Sequence, residues 1–339
     1  MSLKQDEEGR LVVLDGMRGV AAFAVMLHHA LAAWRTPFTT AYMAVDFFFI
    51  LSGYVIASAY ERRLRHGLRL GPFCWVRLRR LLPTMWLGVI MGSAAAVFVD
   101  HAGYEVIPKC LAALLFIPTD YDAKSVFPLN GVQWSLLFEL LANAFHALVF
   151  WRLGNRALGI IAGFSLLALA AGSWPFGTLD VGYSLGTLYL ALARVGFGYC
   201  VGILLFRVGG ASPVLRVPAL LPPLCFIGLL AFMSIVGRWW AEMLGLILMP
   251  LLILAGASAT TRATELYEYF GRVSYPIYAI HLPILVVVGF LPFDQRMLAL
   301  LAVTIAVATT VDPAGRLLRA TVKSARSRPL SPDAPAFVS

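Results

Sequence analysis

Long apolar stretches separated by short polar breaks recur along nearly the whole chain. A helix needs about 20 apolar residues to cross the hydrocarbon core of a bilayer. The pattern predicts an all-α integral membrane protein, a bundle of about ten transmembrane helices. The expected spans are 12–34, 42–60, 76–98, 133–151, 157–173, 186–206, 218–236, 239–257, 274–292 and 297–312. A shorter apolar piece at about 110–118 is too short to cross as a helix and is expected to be re-entrant or interfacial. The first apolar run follows Asp6, Glu7 and Glu8 rather than a basic stretch, and no small-residue cleavage site follows it. It is therefore expected to be a retained helix, not a leader.

Composition supports the same class: 60% of residues are hydrophobic and 13% are charged, against about one quarter charged in soluble domains. The net charge of +9 does not imply nucleic acid, because the Lys and Arg residues sit in short loops and no recognition motif accompanies them. With the N-terminus in the cytoplasm, Arg62, Arg63, Arg65 and Arg69 share one inner loop leading to Arg77, Arg79 and Arg80. Arg152 and Arg156, Arg207 and Arg216, and Arg262 and Arg272 follow on that side. The outer side has only Arg35, Lys109, Lys124, Arg238 and Arg296. This bias predicts that both termini are cytoplasmic. Residues 1–312 read as one multi-helix domain, and 313–339 as a basic, disordered cytoplasmic tail. Cys74, Cys110, Cys200 and Cys225 are too scattered to suggest a disulfide framework or a zinc site.

Ionisable groups inside the spans are the candidates for chemistry, since each is costly to insert. In LDGMRGVAAFAVMLHHA, Arg18 and His29 lie eleven residues apart, about 20° from a whole number of turns. They share a face, with Asp15 near the same stripe, and His28 points elsewhere. A desolvated imidazole suits acceptance of a hydroxyl proton. Asp46, near the outer end of AVDFFFILSGYVIA, could orient His29 or pair with an arginine; Ser52 and Gly53 beside it read as packing residues. Arg77 and Arg80 are three apart and suit phosphate, or else simply anchor the loop. In QWSLLFELLANAFHA, Glu139, Asn143 and His146 form a polar ridge, and Arg194 is a plausible counter-charge to Glu139. His281, in SYPIYAIHLPIL, is either functional or a structural residue of a proline-kinked helix.

These segments together resemble the acyltransferase-3 family of bacterial membrane O-acyltransferases. Arg18, ten residues and His29 match the first-helix signature, whereas His28 does not. AVDFFFILSGYVIA resembles the second-helix signature, RLRRLLP the Arg-x-x-Arg motif and QWSLLFE the Trp-Ser-Leu-x-x-Glu motif; RVGFGYCVG and SYPIYAIHLPIL match weaker downstream patterns. The matches keep the family's order across about residues 11–290. Leu140 stands where a second carboxylate is commoner, and no fused hydrolase-like domain is expected.

The resemblance implies transfer of an acyl group, commonly acetyl, from cytosolic acyl-CoA to a hydroxyl of a carbohydrate or other surface or secreted acceptor, at the bacterial inner membrane. It implies His29 as the catalytic residue and Arg18, Arg77 and Arg80 in acyl-CoA binding or charge stabilisation. Asp15, Asp46, Trp134, Ser135, Glu139, Arg194 and His281 are expected to support them. No permanently bound cofactor and no metal are expected, because a neutral base and a thiolate leaving group suffice; acyl-CoA is a co-substrate. The rival reading is a proton-coupled transporter or acyl-group exporter, in which the same residues relay protons without thioester cleavage.

Overall fold

The structure, a computed structural model, describes residues 2–31, 39–119, 125–209 and 217–326. The helices among them are α1 (Ser2–Ala30), α2 (Ala44–Arg65), α3 (Leu70–Phe98), α4 (Val106–Leu114), α5 (Gln133–Leu148) and α6 (Asn155–Ser173). They continue with α7 (Leu188–Gly209), α8 (Leu221–Val236), α9 (Trp239–Ser258), α10 (Thr264–Val287) and α11 (Phe293–Arg326). Val217–Pro218 and Ala259–Thr260 form a two-residue parallel pairing. Seven of these helices, α2, α3, α6, α7, α9, α10 and α11, contain stretches long and apolar enough to cross a membrane. Of the other expected crossings, α5 and α8 have 16 residues each, and α1 opens in a polar run. The nine-residue α4 falls on the short apolar piece expected at 110–118.

The boundary difference at the start of α10 has a packing cause. α10 begins at Thr264, ahead of the expected 274, because its opening TELYEYFGRV is too polar to register as membrane sequence. That run is nevertheless seated on α1. Tyr267 lies over Gly16, Phe270 over Gly19, and Asp15 over Gly271. α11 runs through the expected domain boundary at 312 to Arg326. The remainder of the expected tail, 327–339, lies outside the described residues, as do Arg35, Lys124 and Arg216.

Three long helix pairs organise the bundle: α1 with α10, α2 with α7, and α6 with α7. α6 turns Ile160, Phe164 and Leu167 outward, each at least 70% exposed. The i, i+4, i+7 spacing makes one continuous apolar stripe, as a lipid-facing helix requires. Lipid is as apolar as leucine, so association of helices within it rests on close packing, which small residues permit. The α2–α7 contact depends on this. A Cβ at Gly53 would lie 2.1 Å from the Tyr199 carbonyl oxygen, and one at Gly202 would lie 2.0 Å from the Ile50 carbonyl oxygen.

Because backbone cannot yield as a flexible side chain does, Gly202→Leu should force α2 and α7 apart. A loss of about 1–3 kcal/mol or more is expected, read as a lower thermal unfolding midpoint in detergent. Gly163→Ala on α6, where a Cβ meets nothing within 4 Å, should leave that midpoint near wild type.

Candidate active site

A cavity with about 770 Å³ of empty space opens among α1, α2, α3, α5 and α10. Arg18, Arg77, Arg80, Ser52, Ser135, Glu139 and Ser274 supply its polar lining, and Tyr275 and Tyr278 close part of its wall. Three guanidiniums therefore reach one space from two helices. Arg18 Nη1 donates to Asp15 Oδ1 at 2.6 Å, one turn back on the same helix. Arg77 Nη2 donates to Glu139 Oε1 at 3.3 Å, and its buried Nε has no partner among the described residues. Arg80 is exposed. The i, i+3 spacing thus places one arginine inside the bundle and the next at its edge.

One turn and a half of α5 anchors four other helices. Trp134 lies under the guanidinium of Arg194 on α7, 5.3 Å from ring centroid to Cζ. Ser135 donates to the Val132 carbonyl oxygen at 2.9 Å, so the 2.6 Å contact with Tyr278 of α10 is the tyrosine hydroxyl donating to Ser135 Oγ. Glu139 Oε1 accepts from Ser52 of α2 at 3.0 Å as well as from Arg77 of α3. Four residues later Asn143 Oδ1 accepts from Tyr199 Oη of α7 at 3.0 Å.

A second group sits at the other ends of α1 and α10. His281 is fully buried, and its Nδ1 lies 2.9 Å from the Tyr278 carbonyl oxygen and 3.1 Å from that of Ile277. Carbonyls only accept, so His281 Nδ1 carries the proton and Nε2 keeps its lone pair. His281 Nε2 is 3.1 Å from His29 Nδ1. His29 Nδ1–H therefore donates to it, shared with the Val25 carbonyl oxygen at 2.9 Å. This network leaves His29 Nε2 as the unprotonated nitrogen of the pair, the state a proton acceptor needs. His29 is not among the cavity's lining residues. Tyr278 is, and its ring centroid lies 6.1 Å from that of His281.

Nearby, Asp46 and Arg194 form a two-pronged ion pair. Arg194 Nε donates to Oδ1 at 3.0 Å and Nη2 to Oδ2 at 2.6 Å. Arg194 Nη1 donates to the Val181 carbonyl oxygen at 2.8 Å, tying the α6–α7 connection to the bundle. In that connection, burial pushes the Asp180 carboxyl above the usual carboxylate range, opposed by Arg194 and then His28.

Arg18, Arg77, Arg80, Ser135 and Glu139 thus meet at one cavity, with Asp15 held by Arg18. His29 and His281 meet beside it, and Asp46, Arg194 and Trp134 form a third group. One pairing differs from expectation: Arg194 neutralises Asp46 and not Glu139, whose partner is Arg77. Of the two roles open to Asp46, pairing with an arginine is the one realised, and His281 is the residue that bonds His29. Ser52, read as a packing residue, bonds Glu139. Tyr278 lies outside the sequence expectation, although it stands three residues before His281 and hence on the same helix face.

Fold and site define a multi-pass helical membrane protein with an arginine-lined cavity beside an intramembrane histidine pair. The sequence profile of the acyltransferase-3 family, described as an acyltransferase domain, matches residues 11–311, and the chain belongs to that family. It is an acyltransferase moving groups other than aminoacyl groups. The chain is 32% identical over 176 residues to "Protein 2 in picA locus" of Rhizobium radiobacter, a match covering 46% of this chain and 88% of that protein. It is 26% identical over 266 residues to the exopolysaccharide production protein ExoZ of Rhizobium meliloti (strain 1021), covering 76% and 80%. It is 30% identical over 138 residues to SACOL0978 of Staphylococcus aureus (strain COL), whose name provisionally ascribes O-acetyltransferase activity to it; that match covers 37% of this chain and 22% of that protein. No solved structure matches the chain.

Removing one member of a buried ion pair strands the other charge, at a cost of about 3–5 kcal/mol. Arg194→Met should lower the unfolding midpoint in detergent by that order. Asp46→Leu combined with Arg194→Met should cost less than the sum of the two single changes; simple additivity would show the pair to be uncoupled.

Proposed function

We propose that this chain is a membrane O-acyltransferase that takes an acyl group, acetyl in the first instance, from cytosolic acyl-CoA. The acceptor is a hydroxyl of a carbohydrate or of another surface or secreted molecule. The observation that carries this reading is the His29–His281 hydrogen bond, which leaves an acceptor nitrogen on His29 beside an arginine-lined cavity. The name of ExoZ, exopolysaccharide production protein, supports a carbohydrate acceptor, and the name of SACOL0978 supports acetyl. We further take the chain to cross the bacterial inner membrane about ten times with both termini in the cytoplasm, as the loop charges favour.

In this mechanism Arg77 and Arg80 receive the phosphates of acyl-CoA, and Arg18 aids that binding or stabilises developing charge. The acyl end of the arm occupies the cavity and reaches His29 past the Tyr278 ring. His29 Nε2 takes the proton of the acceptor hydroxyl as its oxygen attacks the thioester carbonyl carbon. The carbon–sulfur bond breaks, coenzyme A leaves as thiolate, and the proton on His29 passes to that sulfur. His281 takes no proton from substrate. It is a positioning residue that holds His29 in the tautomer with Nε2 bare. The Glu139–Arg77 pair keeps α5 and α3 in register around the cavity.

The first test uses purified protein in nanodiscs with radiolabelled acetyl-CoA. Wild type should release free coenzyme A, and His29→Ala should lower that release by at least about 100-fold while remaining folded in the membrane. The Arg77→Gln/Arg80→Gln variant should weaken acetyl-CoA binding. Acetyl-CoA binding without thioester cleavage in the presence of acceptor, together with flux that depends on a proton gradient, would replace this reading with the exporter.

The role of His281 has its own test. His281→Leu should reduce kcat by about 100-fold with little change in KM for acetyl-CoA. His281→Gln, which can still offer an acceptor to His29 Nδ1, should recover part of the loss. Equal losses in both variants would make His281 a packing residue.

A further inference from the structure

A second concavity lies apart from the arginine-lined cavity, between the last turns of α2 and α7 and the turn joining α5 to α6. It has about 1560 Å³ of empty space open to solvent. Its base is rigid for a specific reason. Glu61 and Arg207, 6% and 11% exposed at their side chains, form an ion pair. The Arg207 guanidinium also donates to the carbonyl oxygens of Phe150, Trp151 and Leu153. One buried guanidinium therefore clamps the α5–α6 turn against α2.

Above that base the charges do not balance. Arg62, Arg65, Arg152 and Arg207 line the cleft with Glu61 as its one acidic residue, leaving three positive charges in excess. Arg62 is exposed and its guanidinium has no partner among the described residues. Arg65 makes only a loose 3.6 Å contact with Glu61 and is 62% exposed. Arg152 is stacked on the Trp151 indole, 4.6 Å from the ring centroid, and one of its nitrogens bonds the Leu148 carbonyl oxygen. The remaining donors on these three arginines have the fixed fork geometry that suits phosphate oxygens.

The rim argues for the source of the phosphate. Beside Arg152 and Arg207 the cleft is lined by the half-buried apolar side chains of Trp151, Leu153 and Phe206, and Leu148, whose carbonyl oxygen Arg152 bonds, is 44% exposed. A soluble anion would gain nothing from this apolar border, whereas a lipid has acyl chains to lay along it. Basic clefts between helix ends at the membrane surface are suited to acidic lipid headgroups. We propose that the cleft formed by α2, α7 and the α5–α6 turn is a phosphate-ester site and that it takes the headgroup of an anionic phospholipid. The site does not depend on the acyl-transfer reading, and its test does not use acyl transfer as a readout.

The test compares the full chain with Arg62→Gln/Arg152→Gln in dodecylmaltoside. Phosphatidylglycerol or phosphatidylcholine is titrated while thermal unfolding is followed; in parallel, coenzyme A and 3′-dephospho-coenzyme A are titrated by calorimetry. Phosphatidylglycerol, and not phosphatidylcholine, should raise the wild-type midpoint. The double variant should need about an order of magnitude more of it for the same shift, with both coenzyme affinities unchanged. Arg62→Gln alone removes an exposed, unpartnered group, and should move the lipid response in the same direction without lowering the lipid-free midpoint. If the double variant instead loses affinity for coenzyme A but not for its dephospho form, the phosphate belongs to the coenzyme and the lipid assignment falls. Identical lipid and coenzyme responses in wild type and variants would overturn the site altogether.

Discussion

Asp46 and Arg194 are each 1% exposed at their side chains, and two charges so far from water can persist only if each satisfies the other almost completely. The guanidinium does this with two donors on the carboxylate and one on the Val181 carbonyl oxygen, and its flat face lies over Trp134. Four separate parts of the chain are therefore constrained at one point: the start of α2, the second turn of α7, the α6–α7 connection and the first turn of α5. Moving any of them uncovers a charge in a setting where little else can solvate it. The close glycine contacts of α2 with α7 add the steric half of the same constraint, because backbones that approach this closely tolerate little sliding.

With α5 held in place, its next turn can act at a distance from the ion pair. Ser135 and Glu139 lie on the side of α5 that faces the cavity, where they engage Tyr278, Ser52 and Arg77. The candidate polar groups are thus divided between two levels of the bundle. Guanidiniums gather where α1 and α3 meet the cavity, and the imidazoles gather at the opposite ends of α1 and α10. The division suits a reaction whose donor is a polyanion and whose chemical step needs a neutral base. Arginines placed beside the imidazoles would favour binding but would also repel the proton that a base must accept. Tyr278 stands at the junction, lining the cavity on one side and lying close to His281 on the other.

The histidine pair shows how little apparatus is needed to define a proton's position in an apolar interior. A helical histidine can bond its own backbone carbonyl one turn back, and His281 does so with the carbonyls of Ile277 and Tyr278. That local bond determines which of its nitrogens accepts, and the choice passes to His29 through one further bond. The group that bonds His29 Nδ1 is thus a second imidazole and not a carboxylate.

The amino-acid sequence by itself determined what depends on short range. Apolar run lengths marked the helices, the eleven-residue interval put Arg18 and His29 on one face, and that face is turned toward α10: Arg18 lines the cavity with Ser274 and Tyr275, and His29 bonds His281. The Arg77–Arg80 interval likewise brought both residues to one cavity. These follow from the fixed 100° step of a helix, which needs no knowledge of neighbours. Hydropathy failed at the start of α10 because Tyr267 is buried and Phe270 half-buried against glycines of α1, amid residues that score as polar. The partners of Asp46, Glu139 and His29 were decided by tertiary structure alone. They lie 148, 62 and 252 positions away along the chain. Periodicity gives each side chain's direction around its own axis, but not which helix stands opposite or how that helix is rotated.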